Sequence, residues 1–82
     1  MIKYIFHISD IHIMEKNYSN LRHSFNILIN EIVSHGINRS LLVIAGDIFE
    51  SKSFLNTDDI HQWKSMCILL RNANIKTLVM CG

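Results

Sequence analysis

Three short apolar runs separated by two helical patterns constrain this chain more than any other feature. Lys3 to Ile8, Leu41 to Ala45 and Thr77 to Cys81 are strand-like in length and residue type. Between the first two, Leu21, Phe25, Leu28, Ile32 and Val33 recur at helical spacing, with Ser19 or Asn20 as the expected cap and Gly36 as the stop. Between the second and third, Asn56 with Asp59 three residues on resembles a capping box. Asp58 and Asp59 suit the positive end of a helix, and Ile60, Trp63, Cys67 and Leu70 share one face up to a stop near Asn74. The order β-α-β-α-β requires parallel strands joined by right-handed crossovers, so all three strands should end at one edge. Crossovers that progress in one direction also put both helices on one side, which leaves the other sheet face bare.

Length and composition narrow the class. Eighty-two residues make one small domain at most, and 49% apolar with 18% charged residues is a globular balance. The formal charge is +1, and Lys3, Arg22, Arg39, Lys52 and Arg71 are scattered, so no basic stripe marks a nucleic-acid surface. The apolar stretch in the first eight residues is too short for a signal core or a membrane span, and Lys3 and His7 interrupt it. A cytosolic location is therefore expected, with no membrane partner. Cys67 and Cys81 lack a CxxC spacing; Cys67 is expected in a helix core and Cys81 in a strand, both as thiols.

The chemistry sits just after the first two strands. Ser9-Asp10-Ile11-His12 follows the first and Gly46-Asp47-Ile48-Phe49-Glu50 the second. Carboxylate and neutral imidazole are ligands for divalent cations, and an α/β sheet collects such groups at the carboxyl ends of its strands. Asp10 and His12 are two apart, so an extended backbone would send both side chains to one face. Asp47 arrives from the neighbouring strand, where its two oxygens suit it to bridge two cations, and Gly46 permits a tight turn beside it. Two cations ~3.5–4 Å apart would bind a phosphate ester, activate water and stabilise the attacking and leaving oxygens of an in-line displacement.

Other readings fit less well. Asp-x-His or Gly-Asp alone is commonplace in turns, and it is their placement on successive strands that gives them weight. His7 lies inside the first strand and is expected to be a strand residue or a neighbour of the ligands. His23, His35 and His61 lack acidic neighbours at ligand spacing and should be solvated. Ser9, Asp10 and His12 crowd one turn and cannot form a serine triad, and no GxGxxG follows the first strand.

Asp10-Ile-His12, Gly46-Asp47-x-x-Glu50 and a third strand ending at Gly82 resemble the first two signature motifs, and the first letter of the third, of the calcineurin-like metallophosphoesterases. The resemblance runs from about Tyr4 to Gly82. It implies a four-layer α-β-β-α fold of which this β-α-β-α-β chain would be one parallel-sheet half, so that residues 1–82 form the incomplete N-terminal portion of a single domain. It implies a centre of two divalent metal ions, commonly manganese, with iron or zinc as alternatives. Asp10 and His12 match ligands of the first metal, Asp47 matches the bridging ligand, and Glu50 matches a weakly constrained position.

Ile8-Ser-Asp-Ile-His-Ile13, the helix with Arg22-His-Ser-Phe25, and Gly46-Asp-Ile-Phe-x-Ser-Lys-Ser53 are similar to the SbcD-type double-strand-break repair exonucleases. There the residue after Gly-Asp-x-Phe is often His; here it is Glu50. That branch implies a phosphoester substrate, DNA, an SMC-like ATPase partner for the complete protein, and the nucleoid or nucleus as the alternative to a cytosolic location. The later ligands of the family pattern would follow Gly82, so residues 1–82 alone are expected not to hydrolyse phosphoesters. The alternatives are a phosphatase or phosphodiesterase of the same superfamily, or a non-catalytic module that keeps half a metal site and uses its bare sheet face for contact.

Overall fold

The computed structural model describes residues 1–49 and 57–81. Strand β1 (Tyr4–Ser9) leads through a 3-10 turn (Glu15–Asn17) into helix α1 (Tyr18–His35). A second 3-10 turn (Ile37–Arg39) precedes β2 (Ser40–Gly46), followed by α2 (Thr57–Asn72) and β3 (Lys76–Cys81). The sheet order is β1-β2-β3 and both pairings are parallel, with Ile8 opposite Ile44 and Ile44 opposite Val79. The chain is thus mixed α/β with a three-stranded parallel sheet and two helices. Expectations for Glu50, Asn56 and Gly82 fall outside the described residues.

Both helices cover the same face. Leu42 and Ile44 of β2 are fully buried in one cluster with Phe25 and Ile32 of α1 and Met66 and Leu70 of α2. Their alternates point the other way, as the two-residue period requires. On that open face Ile5 is 68% exposed, Leu78 49% and Met80 50%. The bare face follows from topology: two right-handed crossovers moving in one direction cannot place a helix on each side.

Helix ends follow local chemistry. Gly36 stops α1 at a φ of 104°, a backbone region that suits a residue without Cβ. Asn74 sits left-handed at φ 58° just after α2, where Ile75 N–H donates to the Leu70 carbonyl at 3.1 Å, as at many helix ends.

Several expectations need correction. The first helix begins at Tyr18 with Asn17 in the cap position, not at Ser19 or Asn20, because the chain enters it through the Glu15–Asn17 turn. Val33 is 53% exposed, one residue and therefore about 100° round the helix from Ile32. In α2 the buried face centres on Met66 and Leu70, with Trp63 and Cys67 only partly buried. The reason is that β3 is the sheet edge among the described residues, so that flank of α2 overhangs it. There a cavity of about 430 Å³ opens between Trp63, Cys67, Arg71, Ile75 and Val79. Burial pushes the Cys67 thiol up, away from the reactive thiolate.

Candidate metal centre

Asp10, His12 and Asp47 come together at the carboxyl end of β1 and β2, each offering a ligand atom within 4.8 Å of the others. Asp10 is exposed, and the other two are half-buried. The convergence has a different local cause from the one expected. β1 ends at Ser9, and Asp10 and His12 are not extended: each has φ 54°, in the left-handed region. Two such residues flanking Ile11 give the chain a local curl while it runs on parallel to the segment that follows β2.

Backbone bonds brace that curl from both sides. Asp10 N–H donates to the Ala45 carbonyl at 3.1 Å, His12 N–H to the Asp47 carbonyl at 3.3 Å, and Ile13 N–H to the Ile48 carbonyl at 2.7 Å. In return Asp47 N–H donates to Asp10 Oδ1 at 3.2 Å, so the peptide carrying one candidate ligand also aims another. Ile13 then pairs with Phe49 in a parallel bridge, and its side chain is fully buried.

Gly46 makes this approach feasible. Its φ is +82°, and a Cβ built there would collide with Asp10 Oδ1 and lie 3.3 Å from the Asp10 amide nitrogen. Both the conformation and the space call for glycine.

Behind the curl, Asn17 Nδ2 donates to the His12 carbonyl at 3.1 Å, while its Oδ1 accepts from Met14 N–H at 3.1 Å. The next residue, Tyr18, donates its hydroxyl to Asp59 Oδ1 and so joins the first turns of α1 and α2. That bond, with burial and the nearby charges of Asp59, Asp58 and Glu15, pushes the Tyr18 hydroxyl up to about 12. Sequence reasoning did not single out Asn17 or Tyr18. Asn17 carried a weak signal as a possible helix cap, and Tyr18 none.

The donor set fits a divalent cation. Ligands of one ion at ~2.1 Å can lie at most ~4.2 Å apart, so atoms already within 4.8 Å close around it by side-chain adjustments of under about an ångström. Two carboxylates, which are hard ligands, and an imidazole, which is borderline, together suit manganese, iron or zinc. His7 is exposed on β1, outside this group. His23, His35 and His61 are exposed on the helices, and the His35 ring packs edge-on against Tyr4 and Phe6. No helix of the described residues is long and apolar enough to cross a membrane. No family model, curated protein or solved structure matches the chain.

Proposed function

We propose that residues 1–82 carry the first part of a divalent-metal centre that hydrolyses phosphoester bonds, in the manner of the calcineurin-like metallophosphoesterases. The observation that carries this reading is the convergence of Asp10, His12 and Asp47 at one sheet edge, with glycine where Asp10 needs room. Bound there, cations would draw in a phosphate ester and make water nucleophilic near neutral pH. Asp10 and His12 would hold one ion, and Asp47, with a second oxygen, would be shared with another. Remaining ligands would have to come from outside these residues, within a four-layer α-β-β-α domain. DNA as the substrate, and an ATPase partner, rest on the exonuclease-like strings alone and stand as the finer part of the proposal.

The test is manganese titration by calorimetry. Asp47→Ala should lose binding, and His12→Ala should weaken it less; unimpaired binding by Asp47→Ala overturns the assignment. Affinity should fall on acidification, since protons compete with metal for the lone pairs of imidazole and carboxylate. Residues 1–82 alone should show no hydrolysis of bis-p-nitrophenyl phosphate or DNA ends above a metal-only control. A second reading, a contact module with a residual half-site, is favoured by the exposed apolar sheet face. Absence of metal binding together with tight capture of a second chain on that face would decide for it.

A further inference from the structure

His12 stands in the left-handed backbone region, uncommon for a residue with a Cβ although His enters it more readily than most. Its own amide is held by a rather long bond, 3.3 Å to the Asp47 carbonyl. The peptide that follows it is held on both sides: Ile13 N–H donates to the Ile48 carbonyl at 2.7 Å, and the His12 carbonyl accepts from Asn17 Nδ2 at 3.1 Å. The other end of the same amide accepts from Met14 N–H at 3.1 Å, and Asn17 N–H donates to the Met14 carbonyl at 3.0 Å. One planar amide group thus ties both sides of Ile13, whose side chain is sunk in the core.

The choice is conspicuous because Asn17 also occupies the cap position of α1, where an asparagine oxygen ordinarily accepts from the open amides of the first helical turn. It makes no such bond. The side chain turns back toward the curl instead.

We propose that Asn17 is a positioning residue for the metal centre, fixing the left-handed backbone of His12 and thereby the reach of its imidazole. The inference rests on the metal-binding reading of Asp10, His12 and Asp47. No other side chain combines a donor and an acceptor at this spacing in a planar group of the same length: Asp would keep the acceptor for Met14 but present an oxygen to the His12 carbonyl.

The experiment has a metal arm and a metal-free arm. Manganese affinity is measured for the wild-type chain, Asn17→Ala, His12→Ala and the double variant. Asn17→Ala should weaken affinity by about 10- to 100-fold, the usual effect of removing a group that orients a ligand. The loss should vanish when His12 is already alanine, because the two act through one group. An equal loss in both backgrounds, or no loss, overturns the proposal. Without metal, backbone couplings and the Cα shift of His12 read its φ by NMR. They should leave the left-handed range in both Asn17→Ala and Asn17→Asp; a wild-type His12 signature in either variant overturns the proposal. If the wild-type chain takes up no manganese, the metal reading fails by itself, and the metal-free arm still decides whether Asn17 holds His12.

Discussion

Gly46 is the residue on which the candidate centre is most sensitive to a single atom. Alanine there would need a left-handed φ and would push a methyl group into the Asp10 carboxylate. Gly46→Ala should destabilise the chain by about 1–3 kcal/mol in denaturant unfolding and also weaken manganese binding by displacing Asp10. Loss of stability with unchanged affinity would show that Asp10 moves independently of Gly46. The three ligand candidates were legible because Asp, His and Asp followed apolar runs that had to end side by side. The means by which they meet was not. Spacing suggested that Asp10 and His12 would share a face of extended backbone, whereas both are left-handed, a region that Asp and His enter more often than most side chains but still at a minority of positions. Bonds to Ala45 and Asp47, which form only when the two segments lie side by side, and a local one to Asn17 accompany that conformation.

At the scale of elements, the two helices are linked at their starts by the hydrogen bond from Tyr18 to Asp59. The hydroxyl is pushed from an ordinary value of 10 up to about 12, first by that bond and then by burial and neighbouring negative charge. A raised value in the folded state means that folding favours the protonated phenol. The associated stability is therefore complete below about pH 10 and lost as pH climbs from there to about 12. Phenolate absorbance during alkaline titration should show a late-titrating tyrosine that disappears in Tyr18→Phe. The alkaline fall in stability should be shallower in that variant. If absorbance and stability curves of the two proteins coincide, the link between helices does not persist in solution.

Element order, strand direction and the shared side of the helices were legible because topology leaves few choices once five elements are recognised. Strand limits differ by about a residue. The buried stripe of α2 was less so: Trp63 and Cys67 have the right spacing, but β3 is the edge strand here and leaves that flank partly open, while Met66 turns to the core.

For the molecule as a whole, the uncovered face of the sheet is the dominant physical fact. Ile5, Leu78 and Met80 are about half exposed or more on one surface, with Leu41 and Val43 between their strands. Exposed apolar patches of this kind drive association. Residues 1–82 on their own should self-associate in sedimentation experiments, and the double substitution Ile5→Lys with Leu78→Lys should reduce it while leaving the helical circular dichroism intact. A monomer at high concentration before substitution would show that the face is tolerated in water.

The short bridge from Ile13 to Phe49 has a consequence for how a cation would meet this chain. Strands normally fray from their tips, and the tips are where Asp10, His12 and Asp47 stand. Here the two segments stay bonded beyond that point, with Ile13 anchored in the core and its amide bonded at 2.7 Å, so the donors sit on backbone held on both sides of them. An ion arriving there would find little chain left to order, and its uptake would resemble filling a rigid socket more than folding a loop around a guest.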